Sequence, residues 1–477
     1  MNALLTILII LMSAVAAFVV PEYGFMAVAF CLFLALIVGL FIWRFDKSNE
    51  PLLRLFVGAL AVRIFVATAI CFFEWQTFLG GDADTYDRFG YGLQQAWKGD
   101  AVYKSLVAQF TGAGGSGWGM IYLVAGIYQT IGRNPFAIQL LNAVIGAATA
   151  VLIFRIAHHI FDNQRVAWMA ALFVAFFPSL VLWSSQGLKD APIVFLLAVS
   201  MLATLKVGEK FSVKYLVILV ASVLGLLTLR FYIFYMVMAA IVGAFAIGLR
   251  AFSARSFARQ FVVIILIGLS LTYLGVTRYA GKQIETYGDL EMLQRSRLDA
   301  SRSAESGFGR DVDVSTTSGA IVAIPIGLIY LLFAPLPWQL ASLRQMITLP
   351  EMVVWWVSFP LMVLGLWFTI KYRLRQASPI LLFTTLLTLG YSVFQGNVGT
   401  AYRQRAQLLV FYFIFVAVGF VLLKEKRKDK KQQLEAEKDL AAAQRKGRAF
   451  APFKTPRDLT VEPIFQASTP AAPGEER

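Results

Sequence analysis

The chain has 477 residues, 58% of them hydrophobic and only 15% charged, with a formal net charge of +15 and a mean hydropathy of +0.68. Ordinary soluble domains are nearer half apolar and a quarter charged, so the composition excludes a soluble globular protein. The positive balance does not point to nucleic acid, because much of it lies in short connections between apolar runs and just after the last run, the pattern of loops held on the cytoplasmic side.

Apolar runs of about 16 to 24 residues match the roughly 20 that a helix needs to cross a hydrocarbon core of about 30 Å. The sequence therefore predicts an all-α polytopic integral membrane protein with about twelve transmembrane helices. They are expected at residues 3–20, 25–43, 54–73, 136–157, 166–185, 190–206, 213–229, 231–249, 261–276, 352–370, 379–394 and 407–423. In the first run, Ala14, Ala16 and Ala17 imitate a signal-peptide cleavage site. No basic segment precedes it and a second span follows closely, so an uncleaved helix is expected. Cys31 and Cys71 lie inside apolar runs, where a thiol acts as a small hydrophobe, and no disulfide is expected.

Lys and Arg collect at 44–54, 155–165, 250–260, 371–375 and 424–431, which places these segments and both termini in the cytoplasm. The parity requires that Met120–Ile131 and the proline-bearing Ala320–Pro337 lie at, or dip into, the outer face. Outer loops are then expected at 74–118, 277–319 and 395–406. The chain divides into a two-span segment (1–53), a core (54–276), a second outer loop with its re-entrant stretch (277–351), C-terminal spans (352–423) and a tail (424–477). The tail is basic and then rich in Ala and Pro, hence expected to be disordered, with its basic start suited to anionic lipid headgroups.

Ionisable residues next to a bilayer are costly unless solvated or paired, so clusters of them are functional candidates. The first outer loop carries Asp82, Asp84, Tyr86 and Asp87 in "GGDADTYD", either as an acidic site or as the acidic start of a helix near Thr85. "SSQGLKDAP" places Lys189 beside Asp190 in a short outer turn, a pair suited to an anionic headgroup or a phosphate. Arg230 sits between two closely spaced runs and needs a carboxylate or a lipid phosphate as partner. In "QGNVGTAYRQRAQ", Arg403 and Arg405 offer bidentate forks to a phosphate or pyrophosphate, or else anchor the helix by snorkelling. His158 and His159 adjoin a basic cytoplasmic loop without other ligands, and no metal site is assigned. Ionisable residues in mid-span and related halves, the marks of a transporter, are not evident.

The order of these pieces resembles the polytopic glycosyltransferases of the GT-C superfamily, in particular bacterial relatives of the dolichyl-phosphate-mannose protein mannosyltransferases. The resemblance spans residues 54–206: "GGDADTY" after an early span, the surface helix "GMIYLVAGIYQTIG", then "LLNAVIGAATAVLIFRIAHHIF" and "FFPSLVLWSSQGLKD". It implies a GT-C-like fold and a general base at Asp82 or Asp84. The family's Asp-Glu pair reads "DADTY" here, with Ala83 in the Glu position.

The implied reaction moves a sugar from a polyprenyl-phosphate donor to a glycan, lipid or protein acceptor at the extracytoplasmic face of a bacterial inner membrane. A glycosyl phosphate carries a good leaving group, so one base near the acceptor and cations near the departing phosphate suffice. Tyr86, Asp87, Lys189, Asp190, Arg230, Arg403 and Arg405 are the expected substrate and phosphate contacts, with an assisting divalent cation left open. The competing readings are an O-antigen-type polymerase or ligase, which would depend on Arg403 and Arg405 rather than the Asp cluster, and a transporter or lipid flippase.

Overall fold

Long apolar runs fold as helices because backbone polar groups inside a membrane must be satisfied within the segment itself. The computed structural model describes residues 3–20, 22–45, 50–112, 117–248, 254–302, 306–309, 312–340 and 342–445. Its helices are α1 (Ala3–Val19), α2 (Gly24–Phe45), α3 (Glu50–Phe72), α4 (Gln76–Leu79), α5 (Asp82–Trp97), α6 (Ala101–Gly112), α7 (Trp118–Ile131), α8 (Pro135–Phe161), α9 (Gln164–Phe176) and α10 (Pro178–Ser184). They continue as α11 (Asp190–Glu209), α12 (Val213–Leu229), α13 (Phe231–Ile247), α14 (Ala254–Tyr273), α15 (Val276–Tyr287), α16 (Leu290–Arg302), α17 (Thr317–Phe333), α18 (Leu343–Phe394) and α19 (Val398–Arg445). Among the described residues there is no strand, only one isolated bridge between Gly307 and Asn397.

Each of the twelve expected spans falls on these helices. Among the described residues six helices are long and apolar enough to cross a bilayer, in α2, α3, α8, α11, α18 and α19, and α9 with α10, taken as one span, makes a seventh, bent by 55° where Pro178 starts the second half. α18 breaks at Arg373 (φ −133°, ψ 21°), inside the basic turn expected between two spans, so it is two helices in sequence. The membrane windows of α8 and α19 are 83% buried, against 22% for α2 and 28% for α18, which puts α8 and α19 at the centre and α2 and α18 at the rim.

Polar contacts gather at the two ends of the bundle. At one end Arg165 meets Glu425 at 3.3 Å. At the other, the site pole, α5 packs against α7 so closely that a Cβ on Gly90 would sit 2.3 Å from Val124 Cγ1. The C-terminal half of α17 packs near this pole. Tyr330 stacks on Phe308, Gly327 lies against the Ser392 backbone, and Trp355 Nε1 donates to the Leu332 carbonyl at 2.6 Å.

Two expectations are corrected. The turn expected at 395–406 is already helical from Val398. The tail expected to be disordered from 424 continues α19 through Arg445, because this stretch is rich in Lys, Glu, Gln, Ala and Leu, all good helix formers, and carries a Lys431–Glu435 pair at 3.7 Å. Residues 446–477 of that tail lie outside the described residues, as do Arg310 and Asp311 of the second outer loop.

Candidate functional site

The turn before α11 is built from below. Asn142 of α8, fully buried, donates through Nδ2 to the carbonyls of Gln186 (2.6 Å) and Leu188 (2.7 Å). Those two bonds fix the residues that lead into Lys189 and Asp190. Asp190 opens α11 with a side chain only 2% exposed. Its Oδ2 accepts from Arg403 Nε at 2.8 Å and Nη2 at 2.6 Å, and its Oδ1 lies 3.6 Å from Arg230 Nη2. A buried carboxylate held by two guanidinium groups is the arrangement that compensates an otherwise prohibitive desolvation.

Arg230 occupies the single extended residue (φ −153°, ψ 101°) between α12 and α13. Its Nη1 donates to Tyr391 Oη at 3.4 Å, and Tyr391 in turn donates to Gln407 Oε1 at 2.5 Å. Arg403, on the second turn of α19, reaches from Asp190 to the surface, where Nη1 meets Asp82 Oδ2 at 2.6 Å. Its guanidinium also lies 5.9 Å from the centre of the Trp183 ring.

Asp82 is the first residue of α5, directly after Gly80 (φ 137°) and Gly81. The helix is capped by Gly81 without a side-chain hydrogen bond, so neither Asp82 nor Asp84 is consumed by capping. The Asp82 side chain is 57% exposed, open to an incoming hydroxyl. Asp84, half-buried in the same turn, makes no hydrogen bond or ion pair among the described residues. Lys189 Nζ lies 5.9 Å from the Tyr86 ring centre. Burial, and then the Arg230 charge, pull the Lys189 ammonium down to about 8, against an opposing pull from Asp190. Gly117 (φ 92°) makes room for it, since a Cβ there would meet Nζ at 2.7 Å. Burial raises the Tyr86 phenol, with Asp82 and Asp190 adding to the shift, so it stays a neutral donor.

The structure thus brings together Asp82, Tyr86, Lys189, Asp190, Arg230 and Arg403, and leaves two expected contacts elsewhere. Asp87 faces α7: it accepts from Tyr128 Oη at 2.7 Å and from Arg133, whose Nε is 3.2 Å from Oδ1. It ties the surface helices together, five residues along the helix from Asp82 and on a different face. Arg405 is buried, donates to the carbonyls of Leu331 (2.6 Å) and Ala334, and lies 3.0 Å from Met352 Sδ. It satisfies the C-terminal carbonyls of α17 and is not presented to a ligand.

Sequence reasoning missed Arg63, whose signal was an arginine in mid-run. It is 1% exposed and donates to Ser184 Oγ (2.8 Å) and to the carbonyls of Ala59, Ala175 and Val174. The last two are freed by the bend between α9 and α10, so Arg63 is the device that makes a broken span tolerable in lipid. Trp183, Tyr391, Tyr128 and Arg133 were also missed, because aromatic residues in apolar runs and an arginine before a helix carry no local signal. His159 meets Lys206 Nζ at 3.2 Å at the opposite pole. Among the described residues no three His, Cys, Asp or Glu side chains are grouped to hold a metal ion, and Cys31 and Cys71 are free thiols.

Fold and site together define a multi-pass helical membrane protein whose charged centre, made of paired carboxylates and cations, lies at one end of the bundle. Residues 118–273 match the family model described as dolichyl-phosphate-mannose-protein mannosyltransferase. The match covers Lys189, Asp190 and Arg230, while the acidic motif at Asp82 and the arginine at 403 lie outside it. No curated protein sequence matches the chain. Among solved structures, the archaeal oligosaccharyltransferase AglB from Archaeoglobus fulgidus, in complex with an inhibitory peptide and a dolichol-phosphate, aligns at 15% identity and a TM-score of 0.37. That alignment covers 71% of this chain and 44% of that one, so the chain spans less than half the length of that protein.

Proposed function

We propose that this protein is a membrane glycosyltransferase that moves a hexosyl or pentosyl group from a polyprenyl-phosphate donor to a glycan, lipid or protein acceptor at the extracytoplasmic face of a bacterial inner membrane. One observation carries the reading: Arg403 spans from the exposed Asp82 to the buried Asp190, with Arg230 on the other oxygen of Asp190. An exposed carboxylate beside a cluster of immobilised cations is what this transfer requires. The match of residues 118–273 supports the same chemistry.

In this mechanism the acceptor hydroxyl attacks the anomeric carbon while Asp82 or Asp84 takes its proton. The bond from that carbon to the phosphate oxygen breaks, and the polyprenyl phosphate leaves with the electron pair. Lys189, Arg230 and Arg403 stabilise the charge that develops on the leaving oxygen. A divalent cation accompanying the donor phosphate would meet Asp82 and Asp84 at this pole.

The test is transfer from radiolabelled polyprenyl-phosphate sugars by protein in lipid, comparing wild type with Asp82→Asn, Asp84→Asn and Arg403→Met. Loss of roughly 100-fold or more in one Asp variant that still binds donor identifies the base. Full activity in both Asp variants refutes the mechanism and favours a polymerase or ligase; no transfer from any donor favours a transporter.

A further inference from the structure

Trp183, on the last turn of α10, has no part in the mechanism above. Its ring face lies beside the Arg403 guanidinium, 5.9 Å from centroid to Cζ. It packs T-shaped against the ring of Tyr402, with centroids 6.3 Å apart and planes at 68°, which helps to fix the indole plane. The indole Nε1 is buried and donates to no group among the described residues. An indole N–H in that position is expected to find an acceptor.

Asp190 carries such an acceptor. Trp183 lines a cavity of about 30 Å³ that Asp190 and Ser184 also line. Asp190 is 1% exposed, and its Oδ1 is a buried atom without a hydrogen-bond partner, the nearest cation being Arg230 Nη2 at 3.6 Å. Ser184 Oγ is already engaged, accepting from Arg63 and donating to the Leu180 carbonyl. The residues that line the cavity thus include one that carries an unmet donor and one that carries an unmet acceptor, and the cavity has room for a water molecule, which needs at least two polar partners to be held.

We propose that Trp183 is a positioning residue for Arg403, acting in two ways. Its ring face supports the guanidinium, and its N–H, through a water held in this cavity, fixes the carboxylate that Arg403 grips. Arg403 is shared between a buried carboxylate, 2% exposed, and a surface one, 57% exposed. Without a ring under it and a fixed Asp190 behind it, the guanidinium follows the exposed Asp82 and leaves the place where a phosphate must find it. The kinetic consequence rests on the glycosyl-transfer reading; the structural one does not.

Two measurements test this on the full chain in lipid nanodiscs. The first is an electron cryo-microscopy map at a resolution that shows waters, for wild type and Trp183→Phe. Expected is density within hydrogen-bond distance of both Trp183 Nε1 and Asp190 Oδ1 in wild type, lost in Trp183→Phe, which keeps a ring but no N–H. A dry cavity in wild type, or density retained in Trp183→Phe, overturns the bridge. The second is donor titration of wild type, Trp183→Phe and Trp183→Leu. Expected is a KM raised roughly 3- to 30-fold in Trp183→Leu, the range of a lost cation–π contact, partly recovered in Trp183→Phe, with kcat changed less. A fall in kcat at unchanged KM overturns the positioning role. If Trp183→Leu does not fold, an unchanged KM in Trp183→Phe together with a dry cavity overturns the proposal. If wild type transfers sugar from no donor, the glycosyl-transfer reading fails and the density still decides this one.

Discussion

Replacing Arg405 by Met separates a structural arginine from a phosphate-binding one. Arg405 is buried, and its guanidinium donates to the carbonyls of Leu331 and Ala334 where α17 ends. Met keeps most of the side-chain volume and removes both donors. In membrane proteins a side-chain hydrogen bond contributes about 0.6 kcal/mol on average and about 1.7 at most, so the loss is about 1 to 3 kcal/mol. Heating the protein in detergent and following the monodisperse fraction should show a midpoint a few degrees below wild type. Hydrogen exchange should accelerate at the amides of 328–334. The donor KM of the folded protein should stay within about twofold of wild type, since the side chain faces α17 and not the site. A variant with the wild-type midpoint and a KM raised about tenfold, a loss of about 1.4 kcal/mol in binding, would refute this assignment and restore the two-arginine clamp of a polymerase or ligase.

Further outcomes follow from individual side chains. Lys189 is charged below about pH 8 and neutral above it, so kcat/KM should fall as pH rises through about 8, and Lys189→Arg should abolish that alkaline limb. Asp87→Asn weakens the tie to Arg133 and Tyr128; it should lower the thermal midpoint while leaving the donor KM unchanged, as heated samples and donor titration will show. Arg63→Lys should not restore the folded yield lost in Arg63→Leu, because an ammonium cannot reproduce the fork that reaches Ser184, Ala175 and Val174 together; size-exclusion profiles of the two variants check this. Asp82→Asn releases Arg403 from a largely exposed pair, so polyprenyl phosphate should bind the variant up to about fivefold more tightly, the limit set by about 1 kcal/mol for an exposed ion pair, measured by competition with labelled donor.

The apolar runs made the helices legible, because their length is dictated by the bilayer rather than by distant contacts. Lys189, Asp190 and Arg230 were legible for a related reason: a charge that interrupts apolar sequence needs a partner. Which partner was not legible, since Asp190 and Arg403 lie 213 positions apart and Asp82 and Arg403 lie 321 apart. Helical period separates Arg403 from Arg405. Two residues turn a helix by about 200°, so one faces the site and the other α17. With 395–406 expected as a turn, no helical period applies to the two arginines, although Val398 already begins α19. Arg63 marks the opposite failure. Its signal was present in "LAVRIFVA", but its function depends on the bend between α9 and α10, which arises more than a hundred residues later.

The charges at the site pole also bear on how an anionic ligand would be received. Lys189, Arg230 and Arg403 stand with the carboxylates of Asp82, Asp84 and Asp190, of which Asp82 and Asp190 are paired with a guanidinium. Asp190 is enclosed, with Oδ2 hydrogen-bonded to Arg403 and Oδ1 3.6 Å from Arg230, whereas Asp82 is exposed and held by one nitrogen. An incoming phosphate therefore meets unequal competitors: displacing Asp190 would strand a buried carboxylate, and displacing Asp82 would return a carboxylate to water at little cost. The weaker contact yields first. In the proposed transfer, a phosphate that takes Arg403 from Asp82 would leave that carboxylate without its cation at the moment when a base is needed. The same step cannot occur from Arg405, whose donors are committed to two backbone carbonyls. In that transfer, unequal burial of two carboxylates on one arginine would be enough to couple donor binding to the freeing of the base.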